Sequence, residues 1–170
     1  MRTEEKLLTD LLGKRVPKDD LRFDLWGAID EANSALGLAR ATTKNNEVLM
    51  IVYQIQQELF GVATRCVIPL KNFDELQGTI TMESVEQLKK ITDKIEEKIE
   101  PAENWGIPGD NLSSAALHLS RAIIRRAERI AVRLRREYKI DGNSLLYLNQ
   151  LSDLLFSLAR LEACKGAHYM

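Results

Sequence analysis

Hydrophobic residues recur at intervals of three and four residues through most of this chain, and this spacing constrains the fold more than any other feature. The pattern is typical of amphipathic α-helices that bury one face. In the first helix it predicts a buried face made of Leu21, Leu25, Ile29, Leu36 and Leu38, with Trp26 and Ala32 beside them. No alternating strand pattern of useful length competes with it. The sequence predicts helices at about 19–41, 48–68, 81–99, 112–138 and 144–167.

Capping residues, proline and glycine set the boundaries of these helices. Asp19 and Asp20 can cap the first helix, because aspartate accepts hydrogen bonds from free amides and suits the positive end of the helix dipole. Pro69 ends the second helix, and Thr81 begins the third. Proline and glycine are dense in Pro101–Asp110, which is therefore predicted to be a shaped loop.

Five long helices with short connections predict an all-α, up-and-down antiparallel bundle of the ferritin-like or four-helix-bundle type. The length of 170 residues is close to that of one domain, so we expect residues 1–170 to form a single domain. A composition of 45% hydrophobic and 29% charged residues excludes a disordered chain and a membrane protein. Because no leader-like or membrane-spanning apolar segment occurs, we expect a cytoplasmic protein.

Charge, cysteine and histidine exclude several classes of function. The 24 basic and 25 acidic residues nearly cancel, so no overall field attracts nucleic acid. Cys66 and Cys164 lack the spacing of a metal or redox site and are interpreted as small buried apolar residues. His118 and His168 are not spaced as metal ligands, and we interpret both as structural. We therefore predict no protein-bound metal site.

The fourth predicted helix carries a stripe of arginines. Arg121, Arg125, Arg129 and Arg133 follow one another at four-residue spacing and lie along one side of the helix. Like charges at this spacing destabilise a helix by a few tenths of a kcal/mol per pair unless an anion neutralises them. Guanidinium groups bind phosphate well, so a triphosphate with its magnesium would fit. The alternative is a solvated basic face paired with carboxylates of a neighbouring helix or subunit.

Polar residues interrupt apolar runs on two other helices. Asn149 and Asp153 lie one turn apart among leucines, and buried polar groups are usually paired. The arginines are their simplest partners, although a structural ion pair between helices would serve equally. Asp30 and Glu31 also lie beside apolar residues and call for a cation. Gly27, in mid-helix, suggests close approach by another helix or a ligand.

Several segments, taken in order, resemble the motifs of the trimeric, PduO-type ATP:cob(I)alamin adenosyltransferases. These segments are Arg15–Asp20, Trp26–Ser34, Ile107–Gly109, Ser120–Arg129 and Tyr147–Asp153. The resemblance implies a five-helix bundle that forms a homotrimer with active sites at subunit interfaces. ATP, with Mg²⁺, would give its 5′-adenosyl group to the Co(I) of a reduced cobalamin and leave triphosphate. A corrin reductase or an adenosylcobalamin-dependent enzyme would be a further partner.

The resemblance also implies roles for individual residues. Asp30 and Arg121 would pair across the subunit interface, and Asp153 would lie near the reacting centre. Trp105 stands where the family places an aromatic residue that crowds the lower axial face of cobalt and so eases reduction of Co(II). The residues that would contact ATP are Lys18, Arg125, Arg126, Glu128, Arg129 and Asn149.

The N-terminal segment departs from the family pattern. The family has a loop of the form Thr-x-Thr-Gly-Asp-x-Gly, whose backbone amides wrap the phosphates, whereas only Thr3, Thr9 and Gly13 correspond here. The family's Pro-Gly-Gly is Pro108–Asp110 in this chain. The sequence therefore leaves open a chain that starts late, a different way of binding ATP, or a non-catalytic corrinoid- or nucleotide-binding paralogue without this loop. A purely structural helical oligomer is the remaining alternative.

Overall fold

The computed structural model describes residues 8–11, 14–67, 80–101, 107–138 and 140–166. Its main elements are five helices, as the hydrophobic spacing predicts, and a short hairpin precedes them. The elements in chain order are β1 (Leu8–Leu11), β2 (Lys14–Pro17), α1 (Leu21–Thr42), α2 (Asn46–Val67), α3 (Met82–Glu96), α4 (Leu112–Leu134) and α5 (Gly142–Gly166). The predicted all-α bundle is confirmed. None of the helices in these ranges is long and apolar enough to cross a membrane.

Helix α4 packs against both α1 and α5, α2 packs mainly against α1 and also contacts α5, and α3 packs against α5. Ser113, at the start of α4, donates its hydroxyl to the carbonyl of Ala39 near the end of α1. Ser114 donates in the same way to the carbonyl of Ala159, late in α5. Both contacts join the start of one helix to the end of another, so α4 runs antiparallel to its two neighbours.

All five helices contribute to one hydrophobic core. Full burial of a leucine or isoleucine side chain stabilises the fold by roughly 1.5–3 kcal/mol, so this set supplies the main driving force. Large side chains that are fully buried include Leu25, Leu36, Ile55, Leu59, Leu88, Ile95, Leu117, Ile124, Leu148 and Leu151. On α4 the buried face also carries the small residues Ala116, Ala127 and Ala131, which let α1 and α5 approach closely.

Two apolar side chains that the periodicity assigned to the buried face of α1 are largely exposed. Leu38 is 45% exposed and Trp26 is 42% exposed. Both lie outside the sector of the helix that points toward α2 and α4, because the buried positions of α1 fall within about 60° of Ala32 on the helix circumference. The prediction that these two side chains are buried was therefore wrong for the single chain.

The helix starts follow from capping residues. Asp20, rather than Asp19, caps α1: its Oδ1 accepts from the Arg22 amide at 3.0 Å, and the Arg22 guanidinium approaches Oδ2 at 2.6 Å. This guanidinium lowers the pKa of Asp20. Thr81 caps α3 in a reciprocal pair with Ser84.

Two helices end earlier than predicted. The third was expected to reach about residue 99 but ends at Glu96, and the fourth was expected to reach about residue 138 but ends at Leu134. Beyond each end the chain continues in turns with three-residue hydrogen bonds, such as Ile99 N to Glu96 O and Glu137 N to Leu134 O. The apolar spacing persists through such turns, which is why the sequence overestimated both helices.

A two-stranded antiparallel hairpin precedes α1, although the sequence predicted no strand. Leu8 pairs with Pro17, and Leu11 pairs with Lys14. Each strand has four residues, too few for an alternating pattern to stand out from chance. The Asp20 amide donates to the Pro17 carbonyl at 3.2 Å, so a tight turn containing Lys18 leads directly from the hairpin into α1.

The cysteine prediction was wrong for Cys164, which is exposed near the end of α5. The side chain of Cys66 lies outside the described residues. His118 is half-buried, and its ring meets that of Phe156 edge-on with centroids 6.0 Å apart, and its structural role stays a prediction. Burial and the nearby Arg121 lower the pKa of His118, so the imidazole is neutral at pH 7.

Candidate active site

The charged residues singled out in the sequence gather on the surface formed by α1, α4 and α5. Arg125, Arg126 and Arg129 lie on the exposed side of α4, and Arg121 on the same helix is half-buried. Buried residues such as Ala127 occupy the opposite side of α4 and hold it against its neighbours. The core therefore fixes which way the arginines point.

On one side of α4, Arg126 reaches α1. Its Nη2 forms an ion pair with Oε2 of Glu31, and the two side chains are 48% and 54% exposed. An exposed pair of this kind contributes at most about 1 kcal/mol, so a bound anion can compete for the guanidinium. Asp30, next to Glu31, is exposed and does not pair with Arg121 within the described chain.

Gly27 was expected to mark a close approach by a helix or a ligand. A Cβ built at Gly27 would meet nothing within 4 Å, so none of the described helices approaches it closely. Close approach by a ligand is the other alternative that the sequence offered, and it stays a prediction.

On the other side of α4, Glu128 reaches α5. The Asn149 amide donates from Nδ2 to Oε1 of Glu128 at 3.0 Å. The prediction that an arginine partners Asn149 was wrong, because Glu128 occupies the edge of α4 that faces α5. The pair leaves Oε2 of Glu128 and Oδ1 of Asn149 to accept hydrogen bonds and the second Asn149 N–H to donate one.

Asp153 lies one turn beyond Asn149 on α5 and is exposed. Its carboxylate contacts no arginine within the described part of the chain, contrary to the expectation of a buried pair. Because its side chain faces solvent, burial does not demand a cation. The contacts of Arg121 and Glu128 with α5 show that the two helices run in antiparallel register, which places Asp153 level with Arg125.

Two arginines surround Phe156 where α4 meets α5, a cluster that the sequence did not predict. The guanidinium groups of Arg121 and Arg160 each lie 5.7 Å from the centre of the Phe156 ring. Such cation–π contacts stabilise by about 0.5–2 kcal/mol. Phe156 lies three residues after Asp153, so its helical spacing from that residue was the available signal.

The segment Ile107–Gly109 lies in the connection before α4, and its backbone conformation accounts for the glycine. Gly109 has a φ of 134°, a conformation that favours glycine over any residue with a Cβ. Asp110 follows it and is exposed, and Asn111 caps α4 by accepting from the Ser114 amide at 2.8 Å. Trp105, expected near the lower axial face of cobalt, lies outside the described residues. Lys18 is exposed in the turn before α1.

Comparison with known proteins identifies the family. Residues 1–162 match the family model described as cobalamin adenosyltransferase. The chain belongs to this family. Among the relatives of the cobalamin adenosyltransferase family, a corrinoid adenosyltransferase of Citrobacter freundii is 35% identical over 150 residues, which cover 88% of this chain and 85% of that protein. One of Bacillus subtilis is 35% identical over 164 residues, which cover 94% and 83%.

Solved structures of the cobalamin adenosyltransferase family share the bundle. A variant of the PduO-type ATP:corrinoid adenosyltransferase from Lactobacillus reuteri, complexed with cobalamin and ATP, superposes with a TM-score of 0.85 at 27% identity. The alignment covers 95% of this chain and 91% of that one. The resemblance to the PduO-type family is therefore confirmed, and the described helices are those of its fold.

Proposed function

We propose that this protein is a corrinoid adenosyltransferase, which transfers the 5′-adenosyl group of ATP to the Co(I) of a reduced corrinoid. The products are adenosylcobalamin and triphosphate. The observation that carries the proposal is the exposed arginine stripe of α4, flanked by Glu128 and Asn149, in a chain of this family. The similar Lactobacillus reuteri protein was solved with cobalamin and ATP, which supports the same pair of substrates.

The arginines suit the leaving group of this reaction. A cobalt–carbon bond forms at C5′ while the bond from C5′ to the α-phosphate oxygen breaks, and the electron pair of that bond leaves with triphosphate. Arg125 and Arg129, one turn apart and exposed, can each donate two hydrogen bonds to phosphate oxygens. Their fixed positive charge stabilises the charge that develops on the triphosphate. Arg126 and Lys18 bring further positive charge to the same triphosphate.

The Glu128–Asn149 pair is suited to bind adenosine, the neutral part of ATP. Together these side chains offer acceptors and a donor at a fixed separation, as adenosine requires. We propose that Mg²⁺ enters with the triphosphate. Among the described residues, no group of three histidine, cysteine, aspartate or glutamate side chains is placed to hold a metal ion. Phosphate oxygens and water would then supply most of the magnesium ligands.

We further propose a homotrimer in which Asp30 of one subunit pairs with Arg121 of the next. Two observations on one chain support this pairing. Arg121 is half-buried and forms no ion pair among the described residues, whereas Asp30 lies exposed on the surface formed by the same helices. A carboxylate from a neighbouring subunit would neutralise this guanidinium, which is partly removed from water.

Asp153 would lie at the meeting point of the two substrates, because it is level with Arg125 in the same groove. Trp105 would crowd the lower axial face of the corrinoid. A corrin reductase would supply Co(I), and an adenosylcobalamin-dependent enzyme would take the product. We place these steps in the cytoplasm, where ATP and reductants are available.

Incubation with MgATP and chemically reduced cobalamin tests this function directly. We expect adenosylcobalamin, detected by its absorbance spectrum and light sensitivity, and triphosphate in equal amount. Chemical reduction removes the need for a reductase partner. A folded trimer that forms neither product would contradict transferase activity and favour the non-catalytic binding protein, which nucleotide titration would then detect.

A further inference from the structure

The tyrosine that opens the Tyr147–Asp153 segment does not face the proposed site. Tyr147 is fully buried, and its hydroxyl donates to Oε2 of Glu58 on α2 at 2.5 Å. The other oxygen of Glu58 accepts from Nε2 of Gln54 at 2.7 Å. Both carboxylate oxygens are therefore engaged, and Glu58 presents a fixed acceptor to Tyr147.

A second polar contact joins α2 to the same end of α5. Nη1 of Arg65 lies 3.8 Å from Oδ2 of Asp141, the residue before α5. Asp141 also accepts from the backbone amide and the hydroxyl of Ser144 in the first turn of α5. Elsewhere α5 packs mainly on α4 and α3. Among the described residues, the polar contacts between α2 and α5 lie in and just before the N-terminal part of α5.

Asn149 belongs to that part of α5. It follows Tyr147 by two residues, so the two side chains leave the helix about 200° apart and point to opposite sides. Tyr147 holds this turn against α2, and Asn149 presents the other side of the turn to Glu128 of α4. A shift of the turn toward or away from α2 would change the distance between Asn149 and Glu128.

We propose that Tyr147 and Glu58 are positioning residues for ATP, which act by fixing the turn of α5 that carries Asn149. Neither residue touches ATP. The inference rests on the proposed role of Asn149 in binding ATP. Side chains held by packing and by outer hydrogen bonds keep a binding group within the small tolerance that affinity requires.

Calorimetric titration of MgATP in the absence of corrinoid tests this role. Tyr147→Phe removes only the hydroxyl, and we expect it to raise the Kd for ATP about fivefold. Asn149→Ala should raise it more. Tyr53→Phe is the matched control, because Tyr53 lies on α2, is 45% exposed, and accepts only a long 3.4 Å contact from Gln57. It should leave the Kd unchanged.

Two further measurements separate positioning from a loss of stability. In turnover assays well below the unfolding temperature, Tyr147→Phe should raise KM for ATP and leave KM for the corrinoid unchanged. Glu58→Gln keeps an oxygen acceptor for the hydroxyl, so it should raise the Kd less than Tyr147→Phe does. It also provides the test if the phenylalanine variant does not fold.

The outcomes distinguish this inference from the proposed function. An unchanged Kd in Tyr147→Phe, or in Glu58→Gln if only that variant folds, together with weaker binding in Asn149→Ala would overturn the positioning role and leave the function standing. An unchanged Kd in Asn149→Ala as well would overturn both the positioning role and the assignment of Asn149 to ATP.

Discussion

The guanidinium of Arg121 lies 5.7 Å from the centre of the Phe156 ring, so contact with α5 fixes its position before any partner binds. Arg121 forms no ion pair with a carboxylate in the described part of the chain. A guanidinium that is already held in place loses little side-chain entropy when a carboxylate arrives. This geometry favours Arg121 as an interface residue over a contact for a mobile phosphate.

The proposed pairing of Arg121 with Asp30 of a neighbouring subunit predicts a specific loss and recovery of assembly. Arg121→Asp or Asp30→Arg alone should place like charges together at the interface and shift the trimer toward monomer in analytical ultracentrifugation. The double variant restores opposite charges and should recover trimer at least in part. A wild-type monomer at micromolar concentration, or a double variant no better than either single one, would exclude the pairing.

Replacement of Arg125 or Arg129 by alanine should weaken ATP binding by about 1.5–3 kcal/mol, the range for charge-assisted hydrogen bonds. Arg125→Lys should recover only part of the affinity, since lysine lacks the planar fork. Arg136→Ala is the control, because Arg136 is exposed beyond the end of α4. If all four variants bound ATP as tightly as wild type, the arginines would instead form a solvated basic face.

Asp153→Asn should lower kcat more than it raises KM for either substrate. The change keeps the size of the side chain and removes its charge, and a charge that organises the reacting groups acts mainly in the transition state. Steady-state kinetics with chemically reduced cobalamin provide the measurement. A rise in KM with unchanged kcat would instead assign Asp153 to substrate binding.

The buried phenol of Tyr147 leads us to expect that the folded protein loses stability at alkaline pH. Burial is the main cause that raises the pKa of Tyr147 well above its ordinary value of 10.0, and the nearby Glu58 carboxylate is the second cause. The folded protein therefore holds the phenolic proton more tightly than the unfolded chain does. The stabilisation is complete below about pH 10 and declines as the pH rises from there toward the pKa of the folded state.

Comparison with Tyr147→Phe isolates this effect. Urea unfolding at pH 8 and at pH 11 should show the difference in unfolding free energy between wild type and variant becoming smaller at the higher pH. The variant itself should be less stable at pH 8, because it leaves the buried side of Glu58 without its donor. A difference that stays constant between the two pH values would contradict the raised pKa.

The helices could be predicted because each repeats its apolar spacing over many turns, so single misassigned residues do not obscure the pattern. Leu38 and Trp26 show the limit of this reasoning. Periodicity identifies apolar residues but does not identify the surface that covers them. The hairpin at Leu8–Pro17 was missed because pairing between two four-residue strands leaves almost no periodic signal.

The site was harder to predict than the fold. The spacing of the arginines placed them correctly along one side of a helix, since that depends only on the geometry of α4. The partner of Asn149 depends on the rotation of α5 against α4, which spacing within one helix does not contain. Glu128 rather than an arginine fills that place. The Arg121–Phe156 contact also depends on the register between the two helices.

The alanines on the inner face of α4 have a consequence for how this family can vary. Ala116, Ala127 and Ala131 face the core from the same helix that presents Arg125 and Arg129 outward. Insertion or deletion of one residue between them would turn every later side chain by about 100°. Arginines would then enter the core and alanines would turn toward the exposed side. The middle of α4 therefore accommodates substitutions more readily than a change in length, because a single insertion or deletion there misplaces both faces at once.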